Sequence, residues 1–149
     1  MLAEESLEQN FHKTLNLPQD ATHWLLSLWR SLQFFDDIAD GDQTDRATLN
    51  AVLWDSLVGF HSDPFFSKYS PILVPLLSTM ILKWQASDTV ERQNKPCAMS
   101  FSWRAGYYDV ILAVVQIIHG AEAATEHAHI VMSLYGEKYT DYLEEFSHA

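Results

Sequence analysis

Asp36, Asp37 and Asp40 crowd the end of an amphipathic helical pattern. A helix C-terminus carries about half a negative charge, so acids placed there repel it and one another. A divalent cation relieves both. At about 100° per residue, Asp36 and Asp40 lie within about 40° of each other, with Asp37 beside them. Asp36 also continues the row Leu25, Trp29 and Leu32, which turns it toward the interior. Further along, the row Leu77, Met80 and Trp84 runs on into Asp88 and Glu91, one turn apart on one face. Asp109 stands among Tyr108, Val110, Ile111 and Leu112, where a lone carboxylate needs a cation or hydrogen-bond donors.

Oxygen-only ligand sets suit hard cations, and Mg²⁺ commonly sits between one or two carboxylates and a substrate's phosphates. In that reading Asp36, Asp40, Asp88 and Glu91 hold Mg²⁺, and Asp37 and Asp109 take the catalytic places, orienting ligands or water. Arg46, Arg92 or Arg104 then meets the phosphate oxygens. The expected function is binding or hydrolysis of a diphosphate-containing small molecule, nucleotide-like or isoprenoid. The plainer reading treats Asp40-Gly41-Asp42 as a solvated helix stop, Asp88 and Glu91 as a solvated pair, and Asp109 as a partner of Arg104 or a tyrosine. The chain is then a non-catalytic helical protein that oligomerises or binds a partner.

Two resemblances touch these residues. Phe35-Asp36-Asp37-Ile38-Ala39-Asp40 resembles the DDxxD motif of class I isoprenoid synthases, all-α enzymes that bind Mg²⁺ and allylic diphosphates. The resemblance implies that Asp36 and Asp40 ligate metal with Asp37 in support. Arg46 lies near the basic residues that follow the motif in chain-elongating members. Ser87 and Glu91 fit that family's second metal motif, in which Trp84 occupies the first ligand position. The acid pairs on two helices are also similar in architecture to the all-α nucleotide pyrophosphohydrolases.

The elements that must position these groups read as helices throughout. Glycine is sparse, proline falls mostly in connections, and no stretch alternates with period two. The spacing predicts a first helix over 4–15 and a second from Asp20, carrying Leu25, Leu28, Trp29, Leu32 and Phe35 inward and ending at Gly41. A third, capped by Thr44 or Asp45, runs to Phe60 with Leu49, Val52, Leu53, Leu57 and Phe60 as its apolar positions. The linker 61–66 brings two phenylalanines that need a partner. Ser70-Pro71 reads as cap and first residue of a fourth helix to Arg92. A fifth covers 99–119, apolar nearly all round from Tyr107 to Ile118, and a sixth 121–146, bent at Gly136.

Short connections favour antiparallel neighbours. The expected fold is one all-α domain over 1–149, an antiparallel bundle of five or six helices. Up-and-down alternation would gather Asp36, Asp37, Asp40, Asp88, Glu91, Arg92, Arg104 and Asp109 at one end. His23, His61, His119, Glu122 and Glu126 would fall at the other, where dipole contacts at helix C-termini explain His61 and His119.

Composition narrows the partners. With a net charge of −11 and no basic stripe, a nucleic-acid partner is not expected. The longest apolar run, Val110 to Val115, is far short of the roughly 20 residues of a membrane span, so no membrane partner is expected. The acidic N-terminus has no secretory pattern, and the single Cys97 fits a reducing cytoplasm. Five tryptophans are a large load for one small core, and a homodimer would cover those, such as Trp24 and Trp54, that it leaves out.

Overall fold

The helical periodicity is carried through into an all-α architecture. The computed structural model describes residues 3–147. They form α1 (Ala3–Gln9), α2 (Gln19–Ala39), α3 (Arg46–Trp54), α4 (Phe60–Ser62), α5 (Pro64–Arg92), α6 (Ala98–Trp103), α7 (Gly106–His119), α8 (Ala121–Ser133) and α9 (Tyr139–Ser147). Two wide π turns, Asn10–Thr14 after α1 and Asp55–Gly59 between α3 and α4, complete the helical segments. The chain groups into two units, residues 1–70 and 71–149, dividing within α5 at the Ser70-Pro71 step.

The first unit is built around Trp24. Its indole is fully buried, stacked on Phe66 at 5.3 Å, tilted against Phe65 at 6.2 Å and met edge-on by Phe60 at 6.3 Å. These rings are the partners that the two phenylalanines of 61–66 required. Leu7, Phe11, Leu15 and Leu17 add the N-terminal part of this core. Helix α2 buries Leu25 and Leu28 as expected, but Phe34 takes the inward place and Phe35 is exposed. Its C-terminus is a Schellman stop: Gly41 has φ +78°, its N–H donates to the Ile38 carbonyl, and the Asp42 N–H donates to that of Asp37.

Helix α5 starts earlier than Ser70-Pro71 suggests. Asp63 is the cap, accepting from the Phe66 N–H at 3.0 Å, and Pro64 is the first helical residue. The same cap-then-proline signature occurs twice, and the earlier copy wins because it also buries Phe65 and Phe66 against Trp24. Pro71 and Pro75 are then left inside the helix, where each removes a backbone donor.

The second unit packs α7 and α8 against each other, folded back through Gly120 at φ +93°. Although α7 is apolar nearly all round, its buried side chains are Tyr107, Val110, Ile111, Val114 and Val115, a stripe of the i, i+3, i+4 kind. Two helices expected to be continuous are broken. The 99–119 segment splits at Arg104-Ala105, and there Gly106 approaches α5 so closely that a Cβ would meet the Met80 Cγ at 2.8 Å. The 121–146 segment stops at Ser133 and restarts at Tyr139.

Candidate functional site

In the first unit Asp36 and Asp37 occupy the last turn of α2 and are half-buried, whereas Asp40 is exposed at its cap. Arg46 opens α3 and is exposed. Gly41 reverses the chain between them. Asp45, the neighbouring acid, caps α3: its Oδ1 accepts from the Thr48 N–H at 2.6 Å, and that bond lowers its pKa.

In the second unit the predicted acids have cations from their own chain. Asp109 accepts from the Lys83 ammonium at 2.7 Å. Asp88 accepts from Arg92 at 3.0 Å, one turn along the same helix. Glu91 lies 3.5 Å from Arg104. Lys83 and Glu91 are eight residues apart on α5, about 12 Å along its axis, so the structure brings Glu91 to Arg104 but leaves Asp109 two turns away. Among the described residues, no three His, Cys, Asp or Glu side chains form a group that could hold a metal ion.

The densest polar assembly is centred on Arg104, with side-chain exposure of 17%. Besides Glu91, its guanidinium meets Glu145 at 3.8 Å and Glu137 at 3.9 Å, and it lies over the Tyr142 ring at 5.1 Å. Glu137 also accepts from the Tyr135 hydroxyl at 2.6 Å. The Tyr142 hydroxyl, fully buried, is hydrogen-bonded to Ser100 Oγ at 2.6 Å. Ser87 Oγ reaches Glu91 and the Ser100 carbonyl. Burial, followed by the neighbouring Glu91, pushes the Tyr142 pKa up to about 12. Burial and Glu137 raise those of Tyr135 and Tyr108.

This cluster ties α9 and the 134–138 connection to α5 and α6, and every group in it has a protein partner. Chemically it is a lock. Glu137 and Glu145 escaped sequence reasoning because one lies in the break at 134–138 and the other on the helix beyond it, a break that periodicity reads through. The one local signal was Gly136, a residue that favours such a break.

The apolar side chains behave in the opposite way. Leu49, Leu53, Trp54, Leu57 and Val58 are 41%, 55%, 62%, 69% and 38% exposed. Val52 is buried, and Phe60 meets Trp24. Eight residues of regular helix would turn Phe60 about 80° from Val52; the extra residue of the π turn closes that to about 20°. The wide turn thus keeps one edge on the core and leaves the leucine edge outside.

Helix α5 is apolar in another sense. It is long and apolar enough to cross a membrane by length and composition, and only 22% of its most apolar window is buried. Unbroken apolar runs do not reveal this, because isolated polar residues interrupt the window. Its exposed Ile72, Val74, Ile81 and Leu82 do not form one row, since Val74 and Ile81 sit roughly opposite Ile72 at about 100° per residue.

Comparison with known proteins returns no match: no family model fits, and neither a curated protein nor a solved structure shows significant similarity.

Proposed function

We propose that this chain is a non-catalytic helical protein that works by association, through the apolar edge of α3 and the π turn that follows it. The observation that carries this reading is the row Leu49, Leu53, Leu57 with Trp54 and Val58 beside it, left in water by its own chain. Contiguous exposed apolar surface of this kind marks interaction sites. The polar side supports it too, because Asp88, Glu91 and Asp109 are already neutralised by Arg92, Arg104 and Lys83.

The competing reading is Mg²⁺-assisted diphosphate chemistry centred on Asp36 and Asp40, and one measurement weighs the two. Melting is followed with Mg²⁺ or Mn²⁺, alone and with pyrophosphate, for the wild type and Asp36→Asn. A ligand bound to the native state raises stability by RT ln(1 + [L]/Kd). The association reading expects the same small response in both proteins. It expects an apolar dye to bind the wild type at dilutions that leave the edge uncovered, and to lose that binding in Leu53→Ser/Leu57→Ser. A cation-dependent rise in Tm that Asp36→Asn abolishes overturns it.

A further inference from the structure

We infer that the partner of this edge is a second copy of the chain, paired antiparallel along Asp45–His61 with Leu53 on the two-fold axis. The inference rests on the association reading and adds the identity of the partner and its register.

Asp45, Leu49, Leu53, Leu57 and His61 recur at every fourth position, and all five are exposed. In a regular helix such a row drifts by about 40° per step and would wind out of a single contact. The π turn at Asp55–Gly59 sets the phase back by one residue, which holds the five within about 80° of one another. The row is therefore straight enough for one flat seam.

It is also its own complement. Reversal about Leu53 places Leu49 against Leu57 of the second copy and Asp45 against its His61, so each end closes an acid on a basic ring. An isologous contact requires this kind of symmetry. Charge points the same way. The whole chain carries −11, yet from Asp45 to His61 the only fully charged side chains are Asp45, Arg46 and Asp55, a net charge of −1. Two copies of an acidic protein meet here with little repulsion, whereas most other surfaces would oppose contact.

Area is sufficient as well. The five apolar side chains present on the order of 500 Å², comparable to the largest patch on an ordinary monomer. Two copies together then cover on the order of 1,000 Å², the lower bound for a specific interface.

The test uses the full chain with Cys97→Ser, so that any disulfide reports only an introduced cysteine. Sedimentation is expected to give twice the chain mass, and Leu53→Asp, which sets two carboxylates on the axis, is expected to halve it with the helical circular dichroism unchanged. Under mild oxidation Leu53→Cys is expected to crosslink with itself. Leu49→Cys is expected to crosslink with Leu57→Cys and not with itself. A single chain mass at every concentration overturns the second-copy inference, as does a dimer that survives Leu53→Asp or a Leu49→Cys self-crosslink. So does capture by phosphatidylcholine vesicles that Leu53→Asp abolishes, which would assign the edge to a lipid surface. None of these results depends on the cation and dye measurements by which the association reading itself stands or falls.

Discussion

The Arg104 cluster of the second unit and the leucine edge of the first handle their difficult groups in opposite ways. Around Arg104, three carboxylates and a tyrosine ring converge on one cation, and the buried hydroxyls find donors or acceptors. Along α3 and the π turn that follows it, five large apolar side chains find no cover in their own chain. The contrast shows where outside contact is to be sought. Ionised groups are costly to leave unpaired inside a protein and are resolved locally, whereas exposed apolar area costs stability in proportion to its extent and is relieved only by another surface.

The largest expected effect breaks the first half of that contrast. Arg104→Met strands Glu91 and Glu137 at half-buried positions, and chemical denaturation should show a loss of about 3 kcal/mol. A loss below about 0.5 kcal/mol, the scale of an ordinary surface change, would mean that the cluster is ornamental and that its acids are open to other roles.

Tyr142→Phe removes the 2.6 Å bond to Ser100 and should cost about 1 kcal/mol. It also sharpens the electrostatics. A phenol whose folded pKa is raised to about 12, from about 10 unfolded, contributes stability that is complete below pH 10 and lost as pH rises through 12. The wild type should therefore lose stability over that window, and Tyr142→Phe should lose less, with Tyr135 and Tyr108 supplying the remainder.

Asp109→Asn tests whether the Lys83 pair is only a surface contact. Its side chains are 34% and 48% exposed, so the expected change is about 0.5 kcal/mol and should shrink with added salt. A cost several times larger, insensitive to salt, would restore Asp109 as a special carboxylate. The smallest effect on folding belongs to Leu53→Ser, within about 0.5 kcal/mol when measured on the isolated monomer, although the same change should abolish association. A cost of about 2 kcal/mol or more would place Leu53 in the core and erase the difference between the two regions.

Much of the fold was legible in the residues. The phenylalanines of 61–66 were legible as rings in need of a partner and Gly41 as the stop of α2, but Trp24, expected among the tryptophans that a dimer would cover, is instead the fully buried centre of the first core. The cap of α3 was narrowed to Thr44 or Asp45, and the structure uses Asp45. The candidate site was legible only in part. Asp88 and Glu91 were read as Mg²⁺ ligands or a solvated pair and Asp109 as a carboxylate needing a cation or donors, with Arg104 or a tyrosine as its plainer partner. The structure pairs Asp109 with Lys83 and gives Arg104 to Glu91, Glu137 and Glu145, across breaks whose path periodicity does not encode. Leu49, Val52, Leu53, Leu57 and Phe60 were legible as the apolar positions of the 46–60 segment, yet they belong to two edges that face opposite environments.

By itself the sequence determined the helical class, because period and breaker residues are local properties of neighbouring side chains. It also determined which residues carry charge and which are apolar. Only the tertiary structure decided which edge of α3 meets Trp24 and which meets water, and which of several carboxylates reaches Arg104. The reason is physical: an apolar pattern records that a helix has a preferred face but not which neighbour will cover it. An ion pair between distant residues depends on where the connecting turns place them, down to a single extra residue in a π turn.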